Sequence, residues 1–209
     1  MVDGAQDYRR FGDADEQGYR NIKLPQESRA IVRILLPDGS PAVNTQVSCR
    51  MRRLDERASG HSLPYTDSEG KISLRANPGE VYNIAVESQQ GAAPAIWGFD
   101  PGDGSEVKNL EIRLRKGTRL HGTVYDSNKK PVPFATIEIQ EYGGEGPVIR
   151  QTTADKGGKY EYLLPPGSFN VSSSSLIDVQ NPGMVSPMPL RNPVTIENGI
   201  DEMVMDIKP

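Results

Sequence analysis

The chain has 209 residues, enough for one large or two small domains, each able to bury a core of its own. Its formal net charge of −4 divides into −1 over residues 1–29, −1 over 30–115 and −2 over 116–209, which leaves no basic face for phosphates and argues against nucleic-acid binding. A single cysteine, Cys49, excludes an internal disulfide, and two histidines, His61 and His121, exclude metal sites built on several imidazoles.

Glycine and proline together make up 38 of the 209 residues, about 18%, a content suited to short strands and many turns. No stretch approaches the roughly 18 consecutive apolar residues of a spanning helix, and the opening "MVDGAQDYRRFGDADEQGYR" is polar where a signal peptide would be apolar. The expectation is a chain that does not insert into a membrane. Residues 1–29 read as a fraying terminus or the end of an upstream domain, with "GYRNIKLP" a candidate strand.

From residue 30 the text alternates. "AIVRILL" is a strand, "PDGSPA" a turn, "VNTQVSC" a strand carrying Cys49 as a core residue, and a variable loop runs through residue 63. "TDSEG" is a turn, "KISLR" a strand, "NPGE" a turn and "VYNIAVE" a strand. "AIWGFD" places the one tryptophan, Trp97, in a loop. "VKNLEIRLRKGTRLHGTVYD" alternates across Leu110, Ile112 and Leu114 and again from Leu120, leaving only Lys116 to Arg119 as a linker, so the flanking units are expected to pack closely.

The grammar then recurs: "LHGTVY", the turn "DSNKKPV", "FATIEIQ", a Gly-rich loop "EYGGEGP", "VIRQTT", the turn "ADKGG", "KYEYLL", the turn "PPGS" and "FNVSSS". Laying the copies together matches Asp38 with Asp126, Pro41 with Pro131, Thr66 with Thr153 and Gly79 with Gly167, a period of about 88 residues. Two tandem domains follow, 30–115 and 116–209, all-β and without a convincing helix. The proline-rich stretch after residue 175 ends in "DEMVMDI", which alternates and can return as a last strand. Asp and Asn at the breaks cap local backbone, while glycine takes positive φ, as expected at Gly79 and Gly167, where a Cβ should also clash.

The pattern "GTVYDSNKKPVPFATIEIQ" followed by "TTADKGGKYEYLLPPGSFNV" resembles the carboxypeptidase regulatory-like domain, closely over 120–175 and more loosely over 31–88. The resemblance implies two tandem prealbumin-like Greek-key β-sandwiches. It also implies a non-catalytic accessory module, usually outside the cytoplasm, with Gly122, Pro131, Asp155, Gly158, Tyr160, Pro165, Pro166 and Gly167 as scaffold. The related surface-protein repeats carry a Lys–Asn isopeptide bond, but the lysine position here reads Val124–Tyr125 and the acidic position falls in "VSSSS". The histidine cluster and "YRGS" tail of hydroxyisourate hydrolases are absent, and two separated histidines do not supply the iron ligands of intradiol dioxygenases.

Two acidic turns invite a calcium reading, Asp100, Asp103 and Glu106 in "FDPGDGSE" and Asp13, Asp15 and Glu16 in "GDADEQG". Neither follows the EF-hand spacing, and turn capping is the favoured role. Carboxylates in turns or in alternating strands, such as Glu138 and Glu161, are expected on solvated faces without raised pKa values. The expectation is therefore no catalytic residue, no metal and no cofactor. The chain reads as a spacer or protein-interaction module of a larger secreted or cell-envelope protein. The competing reading is a carbohydrate-binding module whose contact surface is Trp97, Tyr65 and Tyr142, against a Trp97 that simply plugs the space between the two domains.

Overall fold

The structure, a computed structural model, describes residues 27–53, 61–62, 64–77, 79–143, 147–173 and 192–208. These residues form β-strands and turns and no helix. The first half holds β1 (Ser28–Leu35), β2 (Gln46–Arg53), β3 (His61–Ser62), β4 (Lys71–Ala76), β5 (Glu80–Glu87), β6 (Ile96–Phe99) and β7 (Val107–Arg113). The second holds β8 (Thr118–Thr123), β9 (Thr136–Tyr142), β10 (Pro147–Thr153), β11 (Lys159–Leu164), β12 (Gly167–Ser173), β13 (Asn192–Ile196) and β14 (Glu202–Val204).

The first half pairs a three-stranded sheet, β4-β1-β7, with a four-stranded sheet, β3-β2-β5-β6; the second repeats that order as β11-β8-β14 and β10-β9-β12-β13. In each three-stranded sheet the central strand pairs antiparallel with one neighbour and parallel with the other. The protein is all-β, two Greek-key sandwiches in tandem. Period-two alternation fills each interior: Ala30, Val32 and Ile34 of β1 are fully buried against Val47, Ile84 and Leu114. Leu120, Ile137, Ile139, Leu164 and Val171 form the second core in the same way. Cys49 lies in the first core, and burial pushes its thiol up to about 12.

The turns work as aspartate chemistry predicts. Asp67 Oδ1 accepts from the amides of Glu69 and Lys71 at 2.8 and 2.9 Å, and Asp155 Oδ1 accepts from Gly157 and Lys159 at 2.7 and 2.9 Å. The amides of Lys71 and Lys159, first among these donors, hold both carboxyls below the usual range. Hydrogen bonding also refines the internal alignment. Leu36 N donates to Ser40 O as Asp126 N donates to Lys130 O, and Thr66 N donates to Thr45 O as Ala154 N donates to Ala135 O. Asp126 therefore corresponds to Leu36 rather than Asp38, and Ala154 rather than Thr153 corresponds to Thr66, while Pro41 and Pro131 remain matched through their bridges to Leu35 and Tyr125.

Three elements depart from the sequence expectation. Trp97 lies within β6 rather than in a loop, since Ile84 and Tyr82 of β5 give this segment a pairing partner that no local pattern announces. β13 forms despite Pro193 because it is an edge strand, where a missing amide costs no ladder bond. Gly79 has φ +85° but a Cβ there would touch nothing within 4 Å, whereas at Gly167, φ +155°, it would sit 3.3 Å from Phe169 Cζ. "DEMVMDI" does return, as β14 alongside β8 and a further bridge from Ile207 to Val124. The "GYRNIKLP" strand, most of the loop before residue 63 and Asp13, Asp15 and Glu16 lie outside the described residues.

Candidate functional site

The strongest concentration of polar chemistry lies where the two sandwiches meet. The join is short because it is built from contact rather than chain length: Arg115 is paired with Ala92 through two backbone bonds of 2.9 Å, and a Cβ on Gly117 would fall 2.8 Å from the Ala92 side chain. Beyond it, β10 lies against β5 and β2. Ala85, Ala95 and Val148 form a small apolar cluster there, with Trp97 packed on it.

Into this seam β10 projects Arg150, whose side chain is 1% exposed. Its Nη1 donates to Glu141 Oε2 on β9 at 2.5 Å, and its Nη2 donates to the Ala93 carbonyl of the other sandwich at 3.3 Å. Glu141 Oε1 in turn accepts from the Ala95 amide at 3.4 Å. The register explains the pair. Arg150 stands opposite Ile139 and Val148 opposite Glu141, so arginine and glutamate are diagonal neighbours on one face of the β9–β10 ribbon. The guanidinium also lies 6.0 Å from the Phe169 ring centroid.

Glu87, at the end of β5, faces this cluster from the first sandwich. Burial pushes its carboxyl up to about 7, with Arg150 acting in the opposite sense. The Tyr162 phenol, on β11, is held above its ordinary range by burial first and by Glu87 second. A carboxyl near neutrality departs from the expectation that the acids, lying mainly in turns or on solvated strand faces, have no raised pKa values. The cause is burial at the end of β5, the strand against which β10 lies. The arrangement binds one sandwich to the other; the groups facing Glu87 are Arg150 and Tyr162, neither of which is a nucleophile beside a base in the sense that covalent catalysis needs.

Beside the seam runs a cleft of about 680 Å³ bordered by Pro94, Arg115, Lys116, Pro165 and Asp201, with Lys116 Nζ 2.7 Å from Asp201 Oδ1 across it. Both ends of that ion pair are well exposed, so it contributes little to stability.

The three aromatic residues singled out in the sequence are placed differently from one another. Trp97 is half-buried, and its ring lies so close to the backbone of Gly143 that a Cβ there would come within 2.6 Å of Cε2. Tyr65 is 58% exposed beside Gln46, at the start of β2. Tyr142 ends β9, and its side chain lies outside what the structure describes. Of the acidic turn 100–106, Asp100 accepts from the Gly102 amide at 2.7 Å and Asp103 from the Ser105 amide and hydroxyl at 2.9 and 2.6 Å, which is turn capping. Among the described residues no group of three or more His, Cys, Asp or Glu side chains is placed to hold a metal ion. His121 Nε2 lies 2.6 Å from Glu202 Oε1 on the neighbouring strand.

Arg150, Glu141 and Glu87 were missed in the sequence, although two left a trace. In "TIEIQEY" Glu141 continues the apolar phase of Ile137 and Ile139, and in "VIRQTT" Arg150 continues the phase of Val148. Opposite charges in core phase on adjacent strands are the signature of a buried pair.

No protein-family model matches the chain, and no curated protein matches it. Among solved structures it is similar to the TIE protein of Bacillus anthracis, at 14% identity over 88% of this chain and 34% of that chain, with a TM-score of 0.34. It is also similar to a streptococcal ancillary pilin, at 11% identity over 91% of this chain and 65% of that one, TM-score 0.30. A third is the minor pilin of Streptococcus agalactiae, at 14% identity over 86% and 94%, TM-score 0.33. The chain thus spans 34% of the first of these proteins and 65% of the second.

Proposed function

We propose that this chain is a non-catalytic accessory module, a stiff spacer or protein-interaction unit of a larger extracytoplasmic protein, in which residues 30–115 and 116–209 act as two carboxypeptidase regulatory-like sandwiches held at a fixed angle. The observation that carries this reading is the seam: a buried arginine of the second sandwich reaches the Ala93 carbonyl of the first, over a join with no slack. Spacers must transmit orientation, and here Arg150 and Glu141 of the second sandwich hydrogen-bond the backbone of Ala93 and Ala95 of the first. The carboxylates of Asp67, Asp103 and Asp155 are engaged in capping turns. The motif resemblance favours the same class and a place outside the cytoplasm.

A glycan-binding role through Tyr65, Trp97 and Tyr142 is the lesser reading, because Trp97 is engaged with Gly143 and the Val148 cluster. Small-angle X-ray scattering at moderate salt, extrapolated to infinite dilution, tests the spacer: the wild type should give the distance distribution of one rigid body. A broad distribution, or turnover in a screen of esters, glycosides and peptides, would overturn the proposal.

A further inference from the structure

The free end of the second sandwich carries two backbone anomalies side by side. Among the described residues, the non-glycine residues with positive φ are Asn44, Lys129 and Phe134. Asn44 sits in the first sandwich at the place Phe134 occupies in the second, and Gly39 at the place of Lys129, as the matching turn hydrogen bonds show. Glycine and asparagine adopt this conformation readily; lysine and especially phenylalanine do not. Phe134 is nonetheless 68% exposed, so no core packing repays its strain. Backbone strain of this kind at a surface tip points to a use for the side chain.

The surroundings of Phe134 are net positive, with Lys129, Lys130, Lys156, Lys159 and Lys208 against Asp126, Asp155 and Asp206. Its amide donates to the Asp155 carbonyl, which places it beside the turn carrying Lys156 and Lys159, and the turn carrying Lys129 and Lys130 is joined to the same end through the Val124–Gly158 and Val132–Val124 backbone bonds. Lys208 lies over the Tyr125 ring at 5.9 Å. The carboxylates of this end, Asp126, Asp155 and Asp206, each accept backbone amides. The result is an exposed aromatic ring in a fringe of lysines.

The opposite end of the molecule is its complement. β7 runs from the 100–106 turn to the join, and β8 runs on from the join toward Lys129, so the two turns stand at the two free ends. There, a concavity of about 450 Å³ is lined by Asp100, Asp103, Glu106, Pro101 and Lys108, whose Nζ donates to the Asp100 carbonyl at 3.0 Å. That volume accommodates a phenyl ring, and with three carboxylates against one lysine its lining is net negative, opposite to the Phe134 end.

We propose that the Phe134 end docks into the Asp100–Glu106 concavity of a second copy of this chain, a head-to-tail contact. Such a contact is heterologous, so each added copy leaves one end of each kind open and the assembly grows without closing. Only a few exposed ion pairs and one ring are buried, so the association is weak, dynamic and salt-sensitive.

Sedimentation velocity on the intact chain at rising concentration tests it, with Phe134→Ala, with Lys130→Glu/Lys156→Glu and with Glu106→Lys. These positions lie outside both cores, and circular dichroism confirms that each variant is folded. The expected result is self-association at low salt that weakens roughly tenfold with Phe134→Ala, is lost in the lysine variant and weakens in Glu106→Lys, and returns when those last two variants are mixed, because each then offers the other a matching end. A strictly monomeric wild type at low salt overturns the proposal, as does association unmoved by these substitutions. Binding of the monomer to phosphatidylserine vesicles that depends on Phe134, without self-association, would assign the same end to a lipid surface and equally overturn it.

Discussion

Removing Arg150 should be far more damaging than removing any surface cation. In Arg150→Ala the carboxylate of Glu141 loses its 2.5 Å partner and keeps the Ala95 amide at 3.4 Å, in a position where water does not reach the arginine it faced. Breaking a buried pair from one side costs about 3–5 kcal/mol, since an uncompensated charge is left behind, and the cavity vacated by a fully buried side chain adds to it. Against a typical domain stability of about 5–15 kcal/mol this removes a large fraction. Urea unfolding followed by far-UV circular dichroism reads the loss directly. The double variant Arg150→Met/Glu141→Gln, which removes both charges at similar volume, should recover most of it, to within about 1–2 kcal/mol of wild type. Because Arg150 and Glu141 reach Ala93 and Ala95 of the other sandwich, the single variant should also split one cooperative transition into two. A loss below about 1 kcal/mol for Arg150→Ala, or a double variant no better than the single one, would refute the reasoning.

Gly143→Ala should push the indole of Trp97 out of the seam, since its Cβ would lie 2.6 Å from Cε2; a red shift of the emission of this single tryptophan checks it. Glu87, with its carboxyl pushed up to about 7, binds its proton more tightly in the folded chain than in the unfolded one. Its contribution is therefore fully present below the ordinary glutamate range of about 4 and is lost as pH rises to about 7, an effect of about 1–2 kcal/mol once partial solvent screening is allowed for. Glu87→Gln should flatten that part of the stability–pH curve, and an unchanged slope would show that the seam does not shield it. Gly167→Val, with φ +155° and the buried Phe169 ring 3.3 Å from the new Cβ, should cost about 1–3 kcal/mol in thermal unfolding, whereas Gly79→Ala meets no neighbour and should cost only its backbone strain of about 1 kcal/mol.

The sandwich cores were legible because β-strands write their burial in period two: Ala30, Val32 and Ile34 or Ile137 and Ile139 can be read without coordinates. The aspartate turns were equally legible, since Asp67 and Asp155 act within four residues of themselves. β6 and β13 were not, because each is short, β6 pairs with β5 through an irregular register and β13 carries Pro193, and Trp97 followed β6 into the seam. Glu87 was invisible for a different reason. Its raised pKa comes from burial, which no local pattern in the sequence announces. The Arg150–Glu141 pair stood between these cases, marked by charge in core phase but given its partner in the first sandwich only by the fold.

The central claim is that the seam makes two sandwiches one body. Residual dipolar couplings measured for backbone amides of residues 28–113 and 118–207 in one alignment medium test it most directly. A single alignment tensor should describe both sets, with equal magnitude and orientation, and Arg150→Ala should separate them. Two tensors of different magnitude in the wild-type chain would contradict the claim.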